Sequence, residues 1–202
     1  MSKAAAILLA AGLSRRMGAR NKLLLPVNGT SLVRHVVDTY AASIDGPVLV
    51  VLGHQAEAVA ATLDGACAET VVNPQYADGQ FTSVATGLQH ADCAEVVLIG
   101  LCDQPLLTKK DITTMLNAHS AAETGKISVP VRGPERGNPI VVPHSLRVRM
   151  LEDRKTPGCR KFIRAHPEWV QDLALPAEGY FFDIDTPDAY EAFLRKTRET
   201  VQ

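Results

Sequence analysis

Residues 4–18 read AAAILLAAGLSRRMG, and this stretch decides the fold. Its first part, Ala4–Leu9, is a continuous apolar run with the length of one buried β-strand. The glycines and arginines that follow predict a loop over Gly12–Lys22. Fully apolar strands are typical of parallel sheets covered by helices, and ligands bind at the carboxyl ends of such strands. The opening of the chain therefore predicts an α/β protein with a ligand-binding loop after its first strand.

The same alternation of apolar strands and amphipathic helices continues along the chain. Continuous apolar runs predict strands at Val48–Leu52 and Val96–Leu101, and a further strand is expected between them at Glu69–Val72. Apolar residues at helical spacing predict helices at Ser31–Ser43, His54–Leu63, Phe81–His90 and Thr108–His119. After residue 126 we expect short strands at Ile127–Val131, Pro139–Val142, Trp169–Leu173 and Tyr180–Ile184, with helices near Leu146–Leu151, Cys159–His166 and Pro187–Arg198. Because no linker or repeat interrupts this pattern, residues 1–202 are predicted to form a single α/β domain with a mostly parallel sheet.

The composition excludes several classes of protein. Of the 202 residues, 46% are hydrophobic and 21% are charged, which is ordinary globular composition. The 21 basic and 22 acidic residues give a net charge of −1, which argues against a nucleic-acid coat. The apolar stretch before Arg15 is too short for a membrane span and lacks the small residues of a signal-peptide cleavage site. The cysteines show no C-x-x-C spacing and are expected to be reduced thiols: Cys67, Cys93, Cys102 and Cys159. We therefore expect a soluble, cytoplasmic protein with neither nucleic-acid nor membrane partners.

The charges are sorted along the chain, although they nearly cancel in total. Residues 1–37 contain six basic residues and no acidic one, and the first carboxylate is Asp38. Residues 35–108 contain nine acidic residues and neither lysine nor arginine. The loop over Gly12–Lys22 lies in the basic segment. Its small residues let backbone N–H groups approach phosphate oxygens, and Arg15, Arg16 and Lys22 supply positive charge for a polyphosphate. It matches neither a dinucleotide-binding G-x-G-x-x-G nor a Walker A motif, and a flexible basic surface loop is the alternative.

Two aspartate motifs follow predicted strands. Asp103 emerges where the strand Val96–Leu101 ends, a position that suits a Mg²⁺ ligand or an ordinary turn aspartate. The motif DIDTP, residues 183–187, suits the start of the last helix at Pro187. Asp183 and Asp185 share one face of the predicted strand, so either can reach a metal, while a helix-dipole charge is the alternative role of Asp185.

Two turns complete the set of motifs. Gly79 precedes a predicted helix whose Thr82 and Ser83 hydroxyl groups suit a base or ribose edge, or an ordinary helix N-terminus. The polar segment 133–139, which includes Gly137, Asn138 and Pro139, predicts a turn between two strands. Each turn is a weak signal when taken alone.

In combination these motifs resemble the MobA-like nucleotidyltransferases, and within them the molybdenum cofactor cytidylyltransferases. The resemblance covers essentially the whole chain. It is carried by six stretches: Leu9–Gly18 with Lys22, Asn73–Ser83, Asp103–Pro105, Gly137–Pro139, Phe162–Pro167 and Asp183–Pro187. It implies a Rossmann-like three-layer α/β/α fold. It also implies an enzyme that transfers CMP from CTP to the terminal phosphate of the molybdenum–molybdopterin cofactor and releases pyrophosphate with Mg²⁺.

The resemblance also implies roles for individual residues. Arg16 and Lys22 would hold the triphosphate, and Asp103 and Asp185 would bind Mg²⁺, so that Arg16, Lys22 and Asp103 form the catalytic set. The nucleotide would contact eight residues: Leu9, Ala10, Ala11, Gly12, Ser14, Gly18, Gly79 and Ser83. The acceptor would lie towards Gly137, Asn138 and Pro139.

The choice of nucleotide and acceptor stays open at this level. The guanylyltransferase branch typically has Leu-Ala-Gly-Gly at the opening turn, whereas residues 9–12 here are Leu-Ala-Ala-Gly, which looks more like the cytidine-selective members. A guanylyltransferase, or a transferase with a methylerythritol phosphate or sugar phosphate acceptor, is the alternative within the enzyme class. A non-catalytic maturation protein that delivers cofactor to a molybdoenzyme is the alternative outside it, and a client molybdoenzyme is a compatible partner in either case.

Overall fold

The architecture is a twisted sheet between two layers of helices. The computed structural model describes residues 4–91, 94–153, 155 and 157–200, so that Cys93 lies outside the described residues. The strands are β1 (Ala4–Ala10), β2 (Pro26–Val27), β3 (Thr30–Ser31), β4 (Val48–Leu52), β5 (Glu69–Val72), β6 (Val96–Leu101), β7 (Ile127–Arg132), β8 (Glu135–Arg136), β9 (Ile140–Pro143) and β10 (Val170–Ala174). The helices are α1 (Leu32–Ala41), α2 (Ala56–Ala61), α3 (Gln80–His90), α4 (Lys109–Ala121), α5 (His144–Glu152), α6 (Cys159–Ala165) and α7 (Pro187–Thr200).

The main sheet has the order β10-β7-β9-β6-β1-β4-β5, and β8 pairs with β7. The pairs of β1 with β4 and β6, of β4 with β5, and of β7 with β10 are parallel. Only the pairs that involve β8 or β9 run antiparallel in this sheet of the described residues. The short strands β2 and β3 form a separate hairpin. The predicted α/β class with a mostly parallel sheet is therefore confirmed.

Both faces of the central strands β1, β4, β6 and β9 are buried, as continuous apolar strands require, whereas the edge strands β5 and β10 are partly exposed. Along β1, Ala4, Ala6 and Leu8 face one apolar cluster, and Ile7 faces the other. Helices α1, α2, α4 and α7 contribute to the first cluster, and α3, α5 and α6 contribute to the second. The central position of β1 and β6 places their carboxyl ends, and the loops that follow, at the middle of one sheet edge.

The helix starts agree well with the sequence. Thr108 and Asp111 form the predicted capping box at α4, because each side chain accepts a hydrogen bond from the backbone N–H of the other residue. Pro187 is the first residue of α7, and the Thr186 hydroxyl oxygen accepts a hydrogen bond from the Ala189 N–H. These contacts account for the sharp start of both helices.

The predicted strand Tyr180–Ile184 is wrong. Residues 178–180 form one 3₁₀ turn, and the chain then continues as irregular backbone to α7. Its backbone groups bond to loops instead of a neighbouring strand: the Ile184 N–H donates to the Asp103 carbonyl at 2.9 Å, and the Tyr180 carbonyl accepts from the Asn138 N–H at 2.9 Å. Consequently, Asp183 and Asp185 are placed by this loop and do not share a strand face.

Within the described residues, no helix combines the length and apolar character needed to cross a lipid bilayer.

Candidate active site

A cavity of about 670 Å³ opens at the carboxyl ends of β1 and β6. Most of the residues predicted to bind nucleotide or metal line it: Leu9, Ala10, Ala11, Gly12, Ser14, Arg16, Lys22, Gly79, Ser83, Asp103 and Asp185. Gly18 is exposed and does not line this cavity. The loops after β1 and β6, with the segment before α7, thus bring together residues that are far apart in the sequence.

The basic loop after β1 is folded, which favours a binding loop over a flexible surface loop. Residues 15–17 form a 3₁₀ turn closed by a hydrogen bond from the Met17 N–H to the Ser14 carbonyl, and the Met17 side chain is buried. Ser14 has a left-handed backbone (φ 49°), and its hydroxyl oxygen accepts a hydrogen bond from the Lys22 N–H at 3.3 Å. The protein leaves space around Gly12, where an added Cβ would meet no atom within 4 Å.

Lys22 lies between two carboxylates at the bottom of the cavity. Its Nζ is 2.5 Å from Asp103 Oδ2 and 2.7 Å from Asp185 Oδ1. Arg16 reaches Asp185 from the solvent side, with its guanidinium 2.6 Å from Oδ2. The Lys22 side chain is 12% exposed and that of Arg16 is 66% exposed, so the lysine ion pair is the one that is protected from solvent.

Asp183 joins Asp103 and Asp185 in one cluster, so the structure brings in both of the aspartates between which the sequence did not decide. One carboxylate oxygen from each of the three residues lies within 4.8 Å of the others. The Oδ1 atom of Asp103 is buried and has no hydrogen-bond partner among the described residues. Burying an ionised carboxylate oxygen without a partner costs free energy, and a bound cation would offset this cost.

The charged groups of the cluster shift one another's pKa values. The pKa of Asp183 is raised to about 6, first by burial and then by its hydrogen bond to Asp185 and by the charges of Asp103 and Asp185. Burial also acts to raise the pKa of Asp185, but hydrogen bonds from Lys22 and Asp183 and the nearby charges of Lys22 and Arg16 outweigh it, so the pKa is lowered. Burial acts to lower the pKa of Lys22, yet the charge of Asp103 and the hydrogen bonds to both partners leave it raised.

The cluster fits a hard divalent cation. Carboxylate oxygens are the ligands that Mg²⁺ and Mn²⁺ prefer, and Mg²⁺ is commonly held by one or two carboxylates together with substrate phosphates. Here the carboxylates lie below the basic loop that suits those phosphates. The unpaired Asp103 oxygen and the oxygen-only ligand set both agree with such an ion.

The wall of the cavity beside Ala11 is tightly packed. Ala11 is buried, and a Cβ added at Gly53 would lie 2.7 Å from the Ala11 Cβ and 2.6 Å from the Tyr76 Cβ. The Ala11 methyl group therefore packs close to Gly53, which fixes this wall of the cavity. Tyr76, which lines the same cavity, lies in the stretch Asn73–Ser83 but was assigned no role from the sequence.

The hydroxyl groups at the start of α3 are bound by the protein itself. The Asn73 amide nitrogen lies 2.8 Å from Thr82 Oγ1 and 2.9 Å from Ser83 Oγ. All three residues are buried, although Ser83 also lines the cavity. Gly79 precedes the helix at φ 130°, a conformation that favours glycine. These bonds fix the turn between Asn73 and α3.

A second cavity, of about 570 Å³, adjoins the first. Gly137 and Asn138 line it, whereas Pro139 does not. An added Cβ at Gly137 would lie 2.5 Å from the Tyr180 carbonyl oxygen, so the turn packs directly on the segment before α7. Residues to which the sequence assigned no individual role also line this cavity, among them Gln80, Arg160 and Arg164.

Comparison with known proteins identifies the family. A family model described as a MobA-like NTP transferase domain matches residues 6–170. The chain is 32% identical over 187 residues to a protein named nicotine blue oxidoreductase from Paenarthrobacter nicotinovorans, and the match covers 89% of this chain and 91% of that one.

Solved structures agree on the fold. The homologue of Rv0371c from Mycobacterium sp. strain JC1 superposes with a TM-score of 0.81 at 23% identity and covers 98% of both chains. Rv0371c from Mycobacterium tuberculosis, solved in complex with manganese, has a TM-score of 0.74 at 21% identity and covers 96% of this chain and 99% of that one. Molybdopterin-guanine dinucleotide biosynthesis protein A from Archaeoglobus fulgidus has a TM-score of 0.73 at 18% identity, with the same two coverages. The chain thus belongs to the MobA-like NTP transferase family, whose domain spans most of its length.

Proposed function

We propose that the protein transfers CMP from CTP to the terminal phosphate of the molybdenum–molybdopterin cofactor, giving the cytosine dinucleotide form and pyrophosphate. The observation that carries this proposal is the meeting of a folded basic loop with a cluster of three carboxylates in one cavity. A second cavity beside it offers room for a phosphorylated acceptor. Family membership supports the class of reaction, and the finer assignment of CTP and of the acceptor is our own.

The binding roles follow from where the residues lie. Residues 12–16 and Lys22 of the basic loop line the cavity, so the small residues of the loop and the Arg16 guanidinium suit the triphosphate. Asp103 and Asp185 would hold Mg²⁺, with Asp183 beside them. A divalent ion at this place neutralises charge on the phosphate oxygens and orients them for displacement.

The protein has to position the two substrates and neutralise the charge of their phosphates, and it does not have to supply a nucleophile. A phosphate oxygen of the acceptor attacks the α-phosphorus of CTP, the bond from that phosphorus to the β-phosphate oxygen breaks, and pyrophosphate leaves with the electron pair. The acceptor phosphate is already ionised at neutral pH, so this step requires no protein base. Arg16 and Lys22 supply positive charge where negative charge develops on the leaving group.

The choice of cytosine depends on Ala11. Its methyl group occupies a position where the guanylyltransferase branch has glycine, and it packs near Gly53 in the cavity wall. The added methyl group narrows the space beside the base, which favours the smaller pyrimidine ring over guanine. A guanylyltransferase, or a transferase with another phosphorylated acceptor, is the alternative if this wall does not contact the base.

The name of the bacterial relative raises a second candidate function, an oxidation–reduction reaction. That relative is 32% identical over most of both chains. A paired lysine and aspartate below a basic loop suits phosphate and metal chemistry. This arrangement favours nucleotidyl transfer over an oxidation–reduction reaction, and a redox assay run beside the pyrophosphate assay distinguishes the two.

The test is pyrophosphate release from each of CTP, GTP, UTP and ATP, with purified molybdenum–molybdopterin as the acceptor and Mg²⁺ present. We expect CTP to give the highest kcat/KM and Asp103→Asn to lose most of the turnover. A higher kcat/KM for GTP would refute the base assignment. Release only with a sugar phosphate or methylerythritol phosphate would refute the acceptor.

A parallel assay measures oxidation of NADH and NADPH with nicotine blue, the compound in the relative's name, as the acceptor. Turnover there without any pyrophosphate release would refute nucleotidyl transfer. A protein that tolerates Asp103→Asn in cofactor delivery, and that releases no pyrophosphate, would instead be a non-catalytic maturation protein.

A further inference from the structure

The nucleotide cavity and the acceptor cavity meet at a shared boundary. Five residues line both cavities: Leu9, Gln80, Leu101, Arg160 and Asp183. Arg160 is the only cation among these five. The acceptor phosphate that attacks the nucleotide has to approach this boundary, where Asp183 already contributes a carboxylate.

Arg160 is held at this boundary by the packing of α6. Phe162 and Ile163, on the same helix, are buried in the apolar cluster that α3 also joins. Gly158, just before the helix, has φ 82°, and an added Cβ there would lie 2.8 Å from the Phe81 Cβ. The segment that carries Arg160 therefore packs directly against the start of α3, so its backbone position is fixed relative to both cavities.

Three neighbouring cations are engaged elsewhere, whereas Arg15 lines only the nucleotide cavity and Arg164 only the acceptor cavity. Lys22 and Arg16 form ion pairs with Asp185 in the carboxylate cluster. Arg136, which lines the acceptor cavity, lies 3.1 Å from Asp172. In the described part of the chain no carboxylate pairs with Arg160, and its side chain is exposed. A planar guanidinium in this position can form two parallel hydrogen bonds to one phosphate.

We propose that Arg160 binds the attacking phosphate of the acceptor and holds it beside the α-phosphate of the nucleotide. The inference rests on the proposed nucleotidyl transfer and adds a residue specific to the acceptor side. The reaction brings two polyanions together next to Asp183. A cation at their junction lowers the repulsion between them and fixes the attacking oxygen in line with the bond that breaks. Arg160 is thus an acceptor-binding residue, in contrast to Arg16 on the triphosphate side.

The test compares Arg160→Gln with Arg160→Lys and with Lys161→Gln. Lys161 is exposed on the same helix and lines neither cavity, so it controls for the loss of one positive charge on α6. With molybdenum–molybdopterin as acceptor, we expect Arg160→Gln to lower kcat/KM for the acceptor about 100-fold. The Kd of CTP, measured by calorimetry, should change less than about threefold, and Arg160→Lys should recover part of the rate. Lys161→Gln should match the wild type.

Three results would overturn the proposal. If Arg160→Gln weakened CTP binding as much as it lowered kcat/KM for the acceptor, Arg160 would belong to the triphosphate side. If it behaved like Lys161→Gln, the residue would have no role. If Arg160→Lys gave no recovery and the variant were less stable in urea than the wild type, the effect would be structural.

A binding measurement separates failure of this proposal from failure of the proposed function. Inorganic phosphate is titrated into protein saturated with α,β-methylene-CTP and Mg²⁺, with calorimetry as the readout. We expect phosphate binding in the wild type and in Lys161→Gln, and its loss in Arg160→Gln. Retention in Arg160→Gln, or no binding in the wild type, would refute the role of Arg160 whether or not the protein releases pyrophosphate. Absence of pyrophosphate release by the wild type with every acceptor would refute the proposed function alone.

Discussion

Replacing Lys22 by methionine tests whether the Lys22 ammonium group neutralises the carboxylate cluster when no metal is bound. Lys22 Nζ makes two charge-assisted hydrogen bonds, at 2.5 Å to Asp103 and 2.7 Å to Asp185. These are the carboxylates that we assign to the metal. The ammonium group therefore competes with a divalent cation for the same oxygens. When the ion binds, Lys22 has to give up at least one of these bonds and becomes available for a phosphate.

The size of the effect follows from the bonds that are lost. A hydrogen bond to a charged group contributes about 1.5–3 kcal/mol when it is shielded from solvent. Every 1.4 kcal/mol corresponds to about a tenfold change in affinity. We therefore expect Lys22→Met to bind Mn²⁺ about 10- to 150-fold more tightly than the wild type in the absence of nucleotide. The same variant should bind CTP more weakly, because the triphosphate loses one cation.

Stability provides a second readout of the same exchange. Without metal, Lys22→Met leaves three clustered carboxylates, to which, among the described residues, the exposed Arg16 remains the ion-paired cation, so the free energy of unfolding of the variant should fall by about 1–3 kcal/mol. Added Mn²⁺ should restore more stability to the variant than to the wild type.

The assay is a Mn²⁺ titration by electron paramagnetic resonance, together with urea unfolding with and without Mn²⁺. Arg34→Met, which removes a half-buried cation paired with Asp38 on α1, is the control. Equal or weaker Mn²⁺ binding by Lys22→Met would refute the reasoning, since it would show that Lys22 does not compete for the metal ligands.

Three further predictions concern the metal ligand, the cavity wall and a buried histidine. Asp103→Asn should lower kcat about 10²- to 10³-fold in the pyrophosphate assay, with a folded circular dichroism spectrum; a loss below tenfold would contradict the metal role. Gly53→Ala should weaken CTP binding and lower the free energy of unfolding by about 1–3 kcal/mol, because its Cβ would lie 2.7 Å from the Ala11 Cβ, whereas Gly125→Ala meets no atom and should be neutral. Burial lowers the pKa of His119 below 6.5, so the unfolded chain binds the proton more tightly and stability should fall as the pH drops below about 6.5, by at most ~1.4 kcal/mol per pH unit. Urea unfolding between pH 7.5 and 5 should show this slope and lose it in His119→Gln; an unchanged slope in the variant would contradict it.

Most of the fold could be predicted because the central strands are buried on both faces. A run such as Val48–Leu52 is apolar at every position, and this pattern has few interpretations in a soluble α/β chain. The capping box at Thr108 and the proline at Pro187 fixed two helix starts for local reasons. The short strands β2, β3 and β8 were missed, since two-residue strands leave no periodicity to detect.

The error at Tyr180–Ile184 has a different cause. Tyr180 and Ile184 are both buried, which imitates a strand in a sequence. What decides the conformation is the set of partners for its backbone groups, and these come from the loops at Asp103 and Asn138, distant in the sequence. Neighbouring residues alone cannot reveal such contacts.

The sequence predicted those residues of the site that lie in a recognisable motif, and it did not predict the others. The basic loop and Asp103 could be chosen because charged residues followed apolar strands. Asp183 and Asp185 stayed alternatives in the sequence, and their joint place in the cluster required the loop geometry that the strand prediction had wrong. Arg160 carried no signal, because one arginine among several on an amphipathic segment does not indicate that two cavities meet beside it.

The central claim is that one cavity binds a nucleotide through the loop after β1 and a divalent metal through Asp103 and Asp185. A crystal grown with CTP and Mn²⁺ and measured at the manganese absorption edge tests it most directly. We predict an anomalous peak in contact with the Asp103 and Asp185 carboxylates, with the triphosphate over the loop at Gly12–Lys22 and the cytosine beside Ala11. A manganese peak away from both aspartates, or a triphosphate bound outside this loop, would contradict the account.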